Sequence, residues 1–143
     1  MLSNITYRDV VEAFKDFLSQ HPSVSTVIDE QQYDFQASEN LYPAVVIVPN
    51  MSTGTSNTLL LNFSIFFCDV LIADKSNTRD VYTETLEIAK DFLAYFTNAN
   101  THNWSLQPDF TLTPFEEQLD DFLCGWQLDC AVEMPFSHDY CGL

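Results

Sequence analysis

Apolar residues recur along this chain at two different periods, and the change of period divides it into elements. Over residues 4–20, Tyr7, Val10, Val11, Phe14, Phe17 and Leu18 fall on one arc at about 100° per residue. Arg8, Asp9, Glu12, Lys15 and Asp16 fall opposite. This predicts an amphipathic helix. Thr6 and Asp9 have the spacing of a capping box, and Pro22 suits the helix stop. Residues 24–28 read as a short strand. Residues 29–40 are polar and read as a long loop or short edge strand, with Tyr33 and Phe35 as anchors.

Residues 42–48 form a firmer strand whose Ala-Val-Val-Ile-Val run lies between Pro43 and Pro49. Proline cannot donate to a ladder, so it sets the boundaries. Residues 50–57 read as a flexible polar loop, longer than hairpin closure requires. In the strand over 58–71, Leu59, Leu61, Phe63, Ile65 and Phe67 take one face, and Leu60, Asn62, Ser64, Phe66 and Cys68 the other. A second helix is predicted over 78–97. Its apolar arc, including Val81, Ile88, Phe92 and Phe96, is wide enough to lie across a sheet.

Residues 104–106 and 110–112 read as two short strands or one irregular strand through Pro108, and 113–117 as a link. The last strand, 122–134, alternates most cleanly. Phe122, Cys124, Trp126, Leu128, Cys130, Val132 and Met134 share a face, and Gly125, Gln127, Asp129 and Glu133 point the other way, toward solvent or a partner. The expected core includes Trp126, Leu128, Val132, Phe63, Ile65, Phe92 and Ile88. The fold class is α+β: a mainly antiparallel sheet with two amphipathic helices on one face. The whole chain, 1–143, reads as one structural domain with a short C-terminal extension over 135–143.

Composition narrows the function. The chain has 143 residues, 21 Asp plus Glu against five Lys plus Arg, and a formal net charge of −16. Nucleic-acid readers and proteins of anionic membrane surfaces use the opposite charge balance. An aromatic content of 14% argues against disorder. The expectation is a protein with no membrane association, since no apolar run approaches the ~20 residues of a spanning helix. The N-terminus has neither a basic nor an apolar signal region. Sequons at Asn4, Asn62 and Asn103 carry little weight without such a signal.

No cofactor, metal or catalytic constellation is expected. Three glycines leave little material for phosphate-cradling loops. The four cysteines read as buried free thiols. A zinc set of Cys124, Cys130, His138 and Cys141 matches no common spacing, and Cys124 and Cys130 on one strand lie ~20 Å apart. His21, His102 and His138 fall in turns or tails and read as exposed. The carboxylates Glu116, Glu117, Asp120 and Asp121, like Asp29, Glu30 and Asp34, fit no calcium-loop pattern and read as solvated. Helix spacing accounts for Arg8 with Glu12, Glu12 with Lys15 and Glu87 with Lys90. Lys75 and Arg79 have no such local account. They are candidate subunit contacts, as is the loop bearing Met51, Ser52, Thr53, Gly54 and Thr55.

As an ordered pattern, most of the chain resembles the tail-terminator, tail-completion and neck-ring (head–tail connector) proteins of tailed bacteriophages. The pattern consists of a helix, then Tyr42-Pro43-Ala44-Val45-Val46-Ile47-Val48-Pro49, a polar loop, and a strand ending Phe66-Phe67-Cys68-Asp69-Val70. A long amphipathic helix and Trp104-Ser105-Leu106 follow. It closes with Thr113-Pro114-Phe115-Glu116-Glu117 and Gly125-Trp126-Gln127-Leu128-Asp129-Cys130. The composition is similar to that of phages of gut Bacteroidetes, including the crAss-like group. The resemblance implies a non-enzymatic structural virion protein with a tail-terminator-like α+β fold. It implies rings of six or twelve copies at the neck or tail, assembled in the host cytoplasm. Portal, connector or tail proteins would be neighbours, and viral DNA would pass through the channel without specific binding. An acidic subunit suits a lumen that must not hold phosphate. The alternative reading is an acidic interaction protein or DNA mimic that inhibits a host nucleic-acid enzyme.

Overall fold

The computed structural model describes residues 6–29, 41–55, 57–72, 74–98, 104–118 and 122–135. Its elements run α1 (Tyr7–Gln20), β1 (Thr26–Ile28), β2 (Ala44–Pro49), β3 (Thr53–Gly54), β4 (Thr58–Val70), α2 (Thr78–Asn98), β5 (Ser105–Leu106), β6 (Thr111–Gln118) and β7 (Phe122–Pro135). Thr6 caps α1: its hydroxyl accepts from the Asp9 amide, and the Asp9 carboxylate accepts from the Thr6 amide. These bonds satisfy donors that a helix start otherwise leaves orphaned.

The sheet is mixed, with a parallel pair at its β1 edge that the sequence pattern does not announce. β1 runs parallel to β2, while β2–β4, β4–β7, β3–β4, β5–β7 and β6–β7 are antiparallel. The strand order is β1-β2-β4-β7-β5, with β3 also on β4 and β6 also on β7. A parallel partner needs a crossover connection, and the connection between β1 and β2 carries no periodicity from which one could be read. β4 and β7 pair continuously from Thr58↔Pro135 to Val70↔Leu123 and form the spine of the sheet.

Two predicted irregular segments are paired strand. Thr53 and Gly54 pair with Leu60 and Leu59, so residues 50–57 are not one open loop. The turn itself closes where the Thr55 amide donates to the Thr58 carbonyl. Residues 113–117 are not a link; they lie within β6, from Thr111↔Asp129 to Gln118↔Phe122. Pro114 is tolerated there because β6 lies on the outer edge of the sheet. Gly125 is required by contact: a Cβ there would stand 1.8 Å from the Phe67 carbonyl oxygen on β4, at a backbone φ of +158°.

Both helices cover one face. Phe63, Ile65 and Phe67 of β4 and Leu128 and Val132 of β7 point into it, together with Val45 and Ile47 of β2. Above them, Phe14 of α1 meets Phe63, Phe92, Phe96 and Trp104 edge-on at ring-centroid distances of 4.9–5.8 Å. Trp104 stacks on Phe96. Burial of such rings is the dominant favourable term in the fold. Of the expected core, Trp126 is the correction. It lies on the covered face but at its margin, half-buried, with its indole N–H donating to the Tyr82 carbonyl at 3.0 Å. The fold as a whole is α+β.

Candidate functional site

The face of the sheet away from the helices is the surface with unassigned chemistry. Alternation places Val46, Phe66 and Gln127 in one row across β2, β4 and β7, and Val48, Ser64 and Asp129 in the next. Phe66 meets Phe115 edge-on at 5.6 Å. Beside this apolar part lies a polar relay. The Asn50 side-chain amide donates to Ser64 Oγ at 3.1 Å, and Ser64 Oγ donates to Asp129 Oδ1 at 2.7 Å. Gln127 Nε2 donates to the same Asp129 oxygen at 3.1 Å. Two donors thus fix the Asp129 carboxylate in place, and among the described residues none donates to its Oδ2.

Breaks in the strands on either side of the spine turn this face into a groove. On one flank, residues 50–52 separate the Pro49↔Phe63 pair from Thr53↔Leu60, a bulge of one extra residue. On the other, residues 107–110 separate Leu106↔Val132 from Thr111↔Asp129, two more residues than the partner strand supplies. The spine pairs Asn62↔Ala131 and Phe63↔Cys130 lie between the two breaks. The resulting groove has a volume of about 390 Å³ and is lined by Asn50, Met51, Asp109, Phe110 and Asp129 among others. Met51 is 81% exposed and Phe110 45%.

The predicted contact residues fall in two places. Met51, Ser52, Thr53, Gly54 and Thr55 are all exposed on the β2–β3 flank. Lys75 and Arg79 lie past the other end of β4, whose 13 residues span ~40 Å. The structure gives Lys75 an account within the chain. Its backbone has φ 60°, and its amine stands 2.6 Å from Glu116 and 4.5 Å from the centre of the Phe122 ring. Arg79 differs. Among the described residues, no carboxylate comes within 4.0 Å of its guanidinium. It lines an open notch of about 480 Å³ with Tyr82, Leu86 and Trp126. Of the other cations, Lys15 pairs with the buried Asp29 at 2.9 Å and Lys90 with Glu87 at 3.1 Å. Arg8 lies near Asp9, whose carboxyl is held below its ordinary value first by the Thr6 backbone and hydroxyl hydrogen bonds and then by that charge.

Cys68, Cys124 and Cys130 are buried, and the Cys68 thiol donates to the Ala44 carbonyl at 3.5 Å. Burial pushes the Cys124 thiol up to about 11, with Glu116 and Asp69 adding to it. Burial, then Asp129, pushes Cys130 up to about 12. Such thiols stay protonated and are poor nucleophiles and poor metal ligands. Among the described residues no group of three or more His, Cys, Asp or Glu is placed to hold a metal ion. His138, Cys141, His102, Glu30, Asp34, Asp120 and Asp121 lie outside the described residues, as do Asn4 and the anchors Tyr33 and Phe35. His21 corrects the expectation of an exposed loop histidine. Its side chain is 11% exposed, its Nδ1 accepts from the Ser23 amide at 3.1 Å, and its Nε2 meets Asp91 of α2 at 2.8 Å. The Nδ1 acceptor role puts the proton of the neutral ring on Nε2, so His21 ties the end of α1 to α2.

Asp109 and Phe110 are the groove residues that the sequence did not single out. The available signal was the loss of alternation around Pro108, which marks a strand break without revealing what faces it. Among the described residues no helix is long and apolar enough to cross a membrane. No protein-family model matches the sequence, and no curated protein matches it.

Proposed function

We propose that this chain is a non-enzymatic structural subunit of a tailed-phage virion. On this reading it is tail-terminator-like and forms a ring in the head–tail connector or tail, leaving a channel for DNA. The observation that carries the reading is the unequal treatment of the two sheet faces. One is sealed by two helices, while the other keeps Val48, Met51 and Phe110 exposed beside a fixed carboxylate. Exposed apolar side chains gathered in a groove with polar neighbours mark interaction surfaces. The element order that resembles the neck and tail proteins supports the ring over other assemblies. The acidic composition, 21 Asp plus Glu against five Lys plus Arg, suits a channel that lets DNA slide past.

The test is sedimentation and native mass measurement of the purified protein across a salt series. Exposed carboxylates repel at low salt and are screened beyond ~3 Å at 1 M. Small oligomers at low salt should therefore convert to closed particles of six or twelve copies as salt rises. A protein that stays monomeric at every salt and protein concentration overturns the reading.

A further inference from the structure

Arg79 and the groove beside Asp109 are chemical complements on opposite sides of one subunit. Arg79 projects from the helix side, in the first turns of α2, with Trp126, Tyr82 and Leu86 around it. The groove lies on the open side, where Asp109 and Asp129 line it together with the exposed Met51 and Phe110. We propose that in the assembled protein the Arg79 guanidinium of one copy enters the Asp109–Asp129 groove of the next, while Met51 and Phe110 cover the Trp126–Leu86 surface beside it. This deepens the ring reading and rests on it.

Five observations support the pairing. Lys15, Lys75 and Lys90 are already engaged with Asp29, Glu116 and Glu87 inside the subunit. Among the described residues neither Arg8 nor Arg79 has a carboxylate within 4.0 Å, and of the two Arg79 is the one that lines a notch, with Tyr82, Leu86, Trp126, Thr78 and Thr83. On the other side, among the described residues Asp129 is held by Ser64 and Gln127 through Oδ1 alone, which leaves Oδ2 as an acceptor for a planar, multi-donor guanidinium. Asp109 has no hydrogen-bond or ion-pair partner among the described residues and is exposed. Finally, the groove, about 390 Å³, falls within the ~300–1,000 Å³ of clefts that seat a bound group.

A second copy is the occupant because each copy carries both halves. With a net charge of −16, two copies repel unless a cation of one faces carboxylates of the other. The two halves lie on opposite faces of the sheet, so the contact is heterologous: helix side of one copy on open side of the next. Such contacts propagate, and close into rings when the rotation permits.

The test is a charge swap. Arg79→Asp and Asp109→Arg are made singly and together, and the assembled fraction is measured by sedimentation at one salt and protein concentration where the wild type forms particles. Thermal melts check that the exposed-site variants fold. Each single variant should lower the assembled fraction about tenfold or more, the range expected for a close interfacial charge pair. The double variant should recover to within about threefold of wild type. If either single variant assembles like wild type, or the double does not recover, the pairing is overturned while the ring reading stands. If the wild type itself never assembles, both fall.

Discussion

Phe63 and Phe66 lie three positions apart on β4 and face opposite ways, and their surroundings differ completely. Phe63 is 1% exposed and packs against Phe14 and Tyr7 of α1. Phe66 is half-buried and, among the described residues, meets one ring, Phe115 on the edge strand β6. The strand is the same and alternation is unbroken; what differs is the layer above. Two helices convert one row of alternate residues into core. The other row is left to balance apolar surface against a hydrogen-bonded carboxylate. A strand's period says which residues share a face, but the function of each face depends on what covers it.

The largest expected effect tests that contrast directly. Phe63→Ala should destabilise the subunit by ~3–5 kcal/mol, the range for a fully buried ring, while Phe66→Ala should cost about half as much or less. Denaturant melts of the two variants measure the difference. Equal losses would mean that the open face is packed as tightly as the covered one and is not available to a partner.

Both helices and the two spine strands were legible in the sequence because each is long enough for its period to stand out. The cap at Thr6 was legible too, since it is fixed by residues three apart. What the sequence hid was pairing that depends on distant partners. β6 contains Pro114, Glu116 and Glu117, a poor strand signal, yet β7 supplies the whole ladder. Lys75 had no partner at helix spacing because its partner, Glu116, arrives on β6. The groove was hidden for the same reason. The bulge at 50–52 and the break at 107–110 become neighbours only across β4 and β7.

Trp126 sits where the cover ends, so it should show an intermediate effect. It is half-buried and donates one hydrogen bond to the Tyr82 carbonyl. Trp126→Ala should cost roughly 2 kcal/mol, part of the large-to-small range plus one hydrogen bond. A loss as large as that of Phe63→Ala would place the edge of the core beyond Trp126 and close the notch beside Arg79.

Asp69 shows that the covered face is imperfectly apolar at its end. It lies opposite Cys124, and burial pushes its carboxyl above the ordinary value, with the Val70 amide pulling it part of the way back. A carboxyl whose folded pKa exceeds its unfolded one stabilises the fold below the unfolded value, about pH 4, and that contribution is lost as pH rises through the folded value. At pH 7 the ionised group therefore opposes folding. Asp69→Asn should melt at a higher temperature than wild type at pH 7, and the advantage should shrink toward pH 3. An advantage that grows on acidification would show that the native state favours the ionised carboxylate.

The smallest expected effect on stability is at Met51, and it is the sharpest test of the open face. Its side chain is 81% exposed on the rim of the groove, so the isolated subunit gains almost nothing from it. Met51→Ser should change stability by no more than ~0.5 kcal/mol, as surface substitutions do. An assembled neighbour that covers the groove changes the account, because fully burying a methionine side chain contributes ~1.5–3 kcal/mol. The same variant should then raise the protein concentration needed for assembly by about tenfold or more. Melting curves and sedimentation on one preparation separate the two effects. A subunit that loses more than ~1 kcal/mol has Met51 packed at home, and particles that form at the wild-type concentration leave Met51 uncovered. Only unchanged melting together with impaired assembly fits a face that is open in the single chain and closed in the proposed ring.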